Sequence, residues 1–188
     1  MRNLYVKTAP TVEPVTVDEA KTFCRIDVSE DDTLIASLIK AARQASESYT
    51  GRAYITQTLV LATQCNSMGQ ILLPRPPYGA VVSVQALQDN ATWSTLTLTT
   101  DYYVATIGDS GLIALNMPSL TSQYQVEYTA GYGAAATSVP DALKQAILMR
   151  VASMYENRQD EAGNAAASIH NSQQLERPYK TMTVGAGS

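Results

Sequence analysis

The residues of this chain that could do covalent or acid–base chemistry are few. The sequence contains one histidine, His170, and two cysteines, Cys24 and Cys65. A nucleophilic cysteine needs an imidazole or another cation beside it, and only His170 could supply the imidazole. Free cysteines are mostly buried small residues, and a lone histidine in a polar stretch is mostly solvated. The sequence therefore predicts no catalytic residue and no enzyme, unless a pocket gathers a cysteine, His170 and a carboxylate.

Four carboxylates close together invite interpretation as a cation site: Asp27, Glu30, Asp31 and Asp32. They come just before a predicted helix, where negative charge is favoured by the helix dipole. Capping therefore accounts for them better than Ca²⁺ ligation does. With two cysteines and one histidine, the sequence predicts no metal site.

Two further motifs resemble binding elements. Gly131-Tyr132-Gly133 precedes a helix, as phosphate loops do, but it lacks the Lys-Ser/Thr ending and the spacing of either nucleotide fingerprint. The run Leu73-Pro74-Arg75-Pro76-Pro77-Tyr78 is either a polyproline ligand or a rigid corner between strands, and the corner is favoured. Neither motif predicts a cofactor.

Three helices are expected to frame these residues. Thr16 and Glu19 form a capping box before a short helix. Ser29 and Asp32 form a second capping box before a longer helix, which ends at Gly51. A third helix should begin at Pro140 and run about 19 residues. Its apolar face consists of Leu143, Ala146, Ile147, Val151, Met154 and Tyr155.

Between the second and third helices the pattern changes to alternation and β-branched residues. Strands are predicted at 55–64, 70–73, 81–88, 95–99, 102–107, 112–115 and 123–128, with turns at 89–90 and 108–111. The predicted fold is α+β: a small helical bundle with an inserted, mostly antiparallel β subdomain and an extended C-terminal tail. The predicted divisions are 1–53 (N-terminal helical part), 54–130 (β subdomain), 131–158 (closing helix) and 159–188 (tail).

Charge is scarce and its balance is acidic. Charged residues make up 16% of the chain, against about a quarter in typical proteins, and the net charge is −4. A protein that holds nucleic acid through phosphates needs a basic stripe, so such binding is not expected. A surface so poor in charge favours extensive protein contacts. The sequence shows neither a signal peptide nor a membrane span, so an intracellular chain is expected.

Five stretches, together with the helix that follows the last of them, are similar to the head-tail connector (adaptor) proteins of tailed phages. The resemblance extends in order over residues 4–158. The stretches are Pro14-Val15-Thr16-Val17-Asp18-Glu19-Ala20-Lys21, Glu30-Asp31-Asp32-Thr33-Leu34-Ile35, Thr50-Gly51-Arg52-Ala53-Tyr54-Ile55-Thr56-Gln57-Thr58, Leu73-Pro74-Arg75-Pro76-Pro77-Tyr78-Gly79-Ala80-Val81 and Tyr128-Thr129-Ala130-Gly131-Tyr132-Gly133.

The resemblance implies a non-enzymatic structural protein in the neck of a phage or of a phage-derived gene transfer agent, assembled in the bacterial cytoplasm. Twelve copies would form a ring below the portal protein. The ring would extend the DNA channel without sequence-specific DNA binding, and it would offer a platform for the tail or a stopper protein. No cofactor and no membrane partner are implied.

The tail is the part for which the resemblance says least. Residues after 161 lack apolar periodicity and are expected to be dispensable for folding. Adaptors of this kind embrace the portal with their C-terminal part, so portal or subunit docking is assigned to a group that we name the docking cluster. Its members are Leu175, Arg177, Tyr179 and Lys180.

One further class stays open at this stage. A stand-alone β-rich binding module, for example for carbohydrate, would explain strands rich in Thr and Tyr. It would not explain the helices on both sides of them. Glycan binding by the purified chain without portal binding would favour this alternative.

Overall fold

The computed structural model describes residues 2–87, 92–119, 122–156 and 170–181. The chain divides into two compact units. The β unit comprises Met1–Pro10 and Thr56–Tyr132, and the helical unit comprises Thr11–Ile55 and Gly133–Ser188. The predicted α+β class is confirmed. The first ten residues group with the strands, whereas the sequence placed 1–53 in the helical part.

The β unit holds two antiparallel sheets. The five-stranded sheet has the order β1-β2-β8-β4-β5, and the three-stranded sheet has the order β3-β7-β6. The strands are β1 (Asn3–Thr8), β2 (Gln57–Thr63), β3 (Gln70–Leu72), β4 (Tyr78–Leu87), β5 (Trp93–Thr95), β6 (Tyr102–Ile107), β7 (Ser110–Leu115) and β8 (Tyr124–Ala130).

The middle strand of each sheet, β7 or β8, alternates between buried and half-exposed residues, because successive side chains point to opposite faces of a sheet. In β8, Tyr124, Val126, Tyr128 and Ala130 are buried. The hydroxyl of Tyr128 donates to the carbonyl of Pro74 at 2.6 Å. Burial raises the pKa of Tyr128, so this phenol stays protonated and keeps the bond. The bond ties the proline-rich corner to the sheet.

Two edge strands, β1 of the five-stranded sheet and β6 of the three-stranded sheet, differ in charge. Edge strand β1 carries Lys7, which pairs with Glu127 at 2.7 Å, and its register shifts between Val6 and Thr8. Edge strand β6 has no charge and no proline, and it keeps its register with β7 from end to end. Tyr103 and Ile107 of β6 are 54% and 60% exposed. Within the described ranges, β6 is therefore an edge without the charges or bulges that discourage strand addition.

The helical unit contains three α-helices, α1 (Val17–Cys24), α2 (Asp32–Thr50) and α3 (Asp141–Glu156). A further helical stretch lies near the C-terminus. Short 3₁₀ turns lie at Ala136–Ser138 and Arg177–Tyr179. Residues 170–176 are also helical, and we call them the tail helix. No helix of the described ranges is both long and apolar enough to cross a membrane.

Two of the three predicted helix caps are confirmed. Thr16 accepts the Glu19 N–H at 3.1 Å, and the Glu19 carboxylate accepts the Thr16 N–H at 2.7 Å. Gly51 ends α2 with φ 71°. The predicted cap at Ser29 is wrong. The N-cap of α2 is Asp31, whose carboxylate accepts the Tyr155 hydroxyl at 2.5 Å and makes no cap bond.

Several predicted boundaries need correction. Strand β1 was not predicted, because its apolar residues, Leu4, Tyr5 and Val6, are consecutive and show no alternation with polar ones. The predicted strand 95–99 lies instead at Trp93–Thr95, where β5 pairs with β4. The tail is not extended at 170–179, which is helical. The predicted turn at 89–90 and the last two residues of the third helix lie outside the described residues.

Candidate docking surface

A buried ion pair fixes the tail helix to α3. Arg150 of α3 is 6% exposed and Glu176 is fully buried. Arg150 donates to both carboxylate oxygens of Glu176, from Nε at 3.2 Å and from Nη2 at 2.6 Å. Such bidentate hydrogen bonds fix the relative orientation of the two side chains and also stabilise the ion pair. Removing one partner of a buried pair leaves an uncompensated charge, so the helical unit depends on this part of the tail.

The chain after the tail helix reaches the C-terminal end of α2. A helix end leaves carbonyls without intrahelical partners. The Thr50 carbonyl accepts the Thr181 N–H at 2.8 Å and the Thr181 hydroxyl at 3.1 Å. Gly51 stands so close to the Thr181 hydroxyl that a Cβ there would overlap it. The end of α2 is therefore capped by the tail.

The structure brings the docking cluster to this same end of α2. The Tyr179 carbonyl accepts the Arg52 Nε–H at 2.5 Å. The Lys180 ammonium lies 4.7 Å from the centre of the Tyr49 ring, within cation–π range. Leu175 and Tyr179 are half-buried, whereas Arg177 and Lys180 are exposed. The apolar members thus pack in the helical unit, and the two cations face solvent.

Sequence reasoning missed several residues of this arrangement, among them Tyr49, Arg52 and Glu176. The sequence does contain one indication that Arg150 needs a buried partner such as Glu176. Arg150 follows Leu143, Ala146 and Ile147 at helical spacing on the predicted apolar face, and a charge on a buried face needs a partner. The same signal marks Arg43 of α2, which bonds Glu13 at 2.6 Å and Glu47 at 2.8 Å.

The groups considered for catalysis are not brought together by described contacts. Cys65 belongs to the β unit, and Cys24 and His170 belong to the helical unit. His170 is exposed, and its Nε2 lies 3.1 Å from the amide nitrogen of Gln174. Burial, with a smaller effect of Glu156, raises the pKa of the Cys24 thiol, and burial raises the pKa of Cys65. Both shifts lower the thiolate fraction, which is the reverse of what a nucleophile needs.

Two of the four carboxylates considered as a cation site have structural partners. Asp31 accepts the Tyr155 hydroxyl, and Asp32 accepts the Lys21 ammonium at 2.8 Å. This hydrogen bond raises the pKa of Lys21. Among the residues that the structure describes, no three His, Cys, Asp or Glu side chains gather as a metal site requires.

The helical unit also contains an apolar cavity of about 500 Å³. Its walls are mainly aliphatic and include Val12, Val15, Val17, Ile39 and Ala135. The carboxylate on its border, Glu13, is already bonded to Arg43. The lining supplies no nucleophile and base pair, so the cavity does not define a reaction site.

Comparison with known proteins gives one family and one fold. The model of the head completion protein family matches residues 13–174. Among curated proteins, no match is found. The fold is shared with chains in solved structures of gene transfer agent particles.

Three such structures are similar over nearly the whole chain. A chain in the virion of a native gene transfer agent particle is 22% identical with a TM-score of 0.80, covering 98% of both chains. One in the neck of an empty particle computed with C6 symmetry is 23% identical with a TM-score of 0.79, covering 98% of both chains. One in the neck of a native particle computed with C12 symmetry is 23% identical with a TM-score of 0.76, covering 100% of this chain and 98% of that one.

Proposed function

Because the chain belongs to the head completion protein family, we propose that it is a structural head-tail adaptor in the neck of a tailed phage or of a phage-like particle. The family match over residues 13–174 is the observation that carries this proposal. The fold shared with chains of gene transfer agent necks supports it, because the similarity extends to both units. A non-enzymatic role accords with cysteine thiols whose pKa is raised by burial.

We propose a closed ring of twelve copies below the portal protein. One of the similar neck structures was computed with C12 symmetry, and a twelvefold axis gives twelve equivalent copies. A cyclic ring needs a heterologous contact, in which two different surfaces of one copy meet on neighbouring copies. The copy number rests on the relative and is a proposal for this chain.

The ring would surround DNA without holding it. The chain has a net charge of −4, and phosphates find few counter-ions on an acidic protein. Because the protein attracts the DNA phosphates only weakly, a duplex can slide through the channel without being retained. The upper partner of the ring would be the portal and the lower one a tail or stopper protein, with assembly in the bacterial cytoplasm.

Electron microscopy of the chain with its portal protein tests this function. The purified chain, alone and mixed with purified portal rings, would be imaged as single particles. We expect a twelvefold ring attached to one face of the portal. A chain that stays monomeric with portal, and that is missing from isolated particle necks, would contradict the proposal. A glycan-binding screen of the same preparation tests the β-rich module alternative.

A further inference from the structure

We propose that the basic end of α2 forms one half of the contact between neighbouring copies, and that the acidic end of the same helical unit in the next copy occupies it. The basic end consists of Arg52, Arg177 and Lys180. The inference rests on the proposed ring and names the two surfaces that would close it.

The basic end is held in place before any partner arrives. Arg52 is fixed by the Tyr179 carbonyl and Lys180 by the Tyr49 ring. The chain that carries Arg177 and Lys180 is anchored on both sides, by buried Glu176 and by the bonds of Thr181 to Thr50. Cations held in position lose less conformational entropy on binding than free side chains do. The arrangement is therefore suited to receive carboxylates.

The acidic end lies around the start of α2. Residues 16–32 contain six carboxylates and two basic side chains. Asp31 and Asp32 are bonded inside the unit, but Asp27 and Glu30 are exposed. A local excess of negative charge thus faces solvent at one end of the helix whose other end is basic.

The two ends cannot meet within one copy. Helix α2 has 19 residues, which at 1.5 Å per residue separates its ends by about 28 Å. Two complementary surfaces at opposite ends of one unit are what a heterologous contact requires. Pairing the basic end of one copy with the acidic end of the next neutralises both ends, whereas pairing two identical ends would bring like charges together.

The helix dipole offers a different account of the same charges, because acids at a helix start and bases at its end stabilise the helix itself. That account predicts that charge reversal changes folding stability and leaves assembly alone. Contact between copies predicts instead that charge reversal weakens assembly and leaves folding stability unchanged. The two accounts can therefore be distinguished by experiment.

The experiment uses two full-length variants with opposite changes. One carries Arg177→Glu and Lys180→Glu, and the other carries Asp27→Lys and Glu30→Lys. Like charges would face each other in rings of either variant alone, so we expect the association constant to fall ~10-fold or more. Mixed one to one, each variant presents the complement of the other, and alternating rings should form. Lys40→Glu, an exposed change in the middle of α2, is the matched control.

Ring formation with portal would be measured by electron microscopy, pairwise association by sedimentation velocity, and folding by thermal melts. Unchanged assembly of both variants would overturn the inference, as would loss of portal binding with intact rings. Failure of the mixture to associate more tightly than either variant alone would also overturn it. If the unchanged chain forms no ring at all, the proposed function fails, while the association of the two variants still tests the contact.

Discussion

At the scale of single residues, polar groups removed from water dominate the helical unit. Arg43, Glu47, Arg150 and Glu176 are all at most 6% exposed. Each has an ion-pair partner at 2.6 or 2.8 Å. The pairing of Arg150 with Glu176 fixes the tail helix, because it joins α3 to a residue 26 positions further along the sequence.

Replacing Glu176 by Gln should destabilise the helical unit by about 3–5 kcal/mol, because Arg150 keeps its charge in a buried site without a counter-charge. Urea denaturation would measure the change in unfolding free energy. Glu30→Gln, at an exposed position, is the control and should change it by less than about 0.5 kcal/mol. Equal effects of the two variants would show that the pair is not what fixes the tail helix.

Replacing Cys24 by Ser, Cys65 by Ala and His170 by Gln together should leave ring formation intact. The thiols lack the thiolate character of a nucleophile, since burial raises the pKa of both. Iodoacetamide should therefore alkylate the folded chain at neutral pH more slowly than a free cysteine peptide, and faster as the pH rises. A folded triple variant that forms rings but gives inactive particles would point to a chemical role of one of these three residues.

At the scale of elements, the ends of helices are held by local and by distant groups. The capping box of α1 is local and could be predicted from Thr16 and Glu19. The end of α2 is held by Thr181, which lies 131 residues away from Thr50 in the sequence. Gly51 makes this approach possible, because it has no side chain in the way of the Thr181 hydroxyl.

Changing Gly51 to Ala should destabilise the helical unit more than Gly108→Ala destabilises the β unit. Both glycines have positive φ, 71° and 57°, so each change costs about 1–2 kcal/mol of backbone strain. Only Gly51 has a neighbour within contact distance, since nothing lies within 4 Å of a Cβ at Gly108. Denaturation measures the difference, and limited proteolysis after Lys180 shows whether the tail is released. Equal costs and equal protease resistance would contradict the tail contact.

Prediction from sequence succeeded where the information was local or periodic. The antiparallel strands, the inserted β subdomain and two helix caps follow from alternation and from turn and cap residues. The tail helix did not, because an ion pair and backbone bonds hold it rather than an apolar face. Hydrophobic periodicity does not predict ion pairs or backbone hydrogen bonds between distant residues. The members of the docking cluster could be chosen from their residue types, but their place beside Tyr49 and Arg52 depends on tertiary contacts.

At the scale of the whole molecule, the described part of the tail, residues 170–181, is part of the helical unit and not an appendage. We therefore expect truncation after Arg158 to destabilise that unit, contrary to the expectation from sequence. The truncated chain would lose the counter-charge of Arg150, the cap of α2 and two of the three cations of the basic end. Loss of assembly by this truncation would thus not distinguish docking from folding, whereas charge reversal at Arg177 and Lys180 would.

The whole chain should not be retained on duplex DNA at physiological salt, because a net charge of −4 leaves little counter-ion release to drive binding. Gel mobility shift with a random-sequence duplex would check this for the free chain and for rings. The basic end alone should give at most weak binding that disappears with added salt. Tight binding that persists at high salt would contradict a passive channel.

The uncharged edge of β6 bears on how much of the chain a cell can make. An uncharged edge of this kind recruits extended segments of other molecules, so unassembled copies should lose solubility as their concentration rises. Placing a charge there with Ile107→Lys should increase the soluble yield on overproduction, measured after centrifugation. Met68→Lys, at an exposed turn residue of the β unit outside any strand, is the control and should not increase it. Synthesis of this chain in step with its assembly partners would then be a requirement of its own β structure.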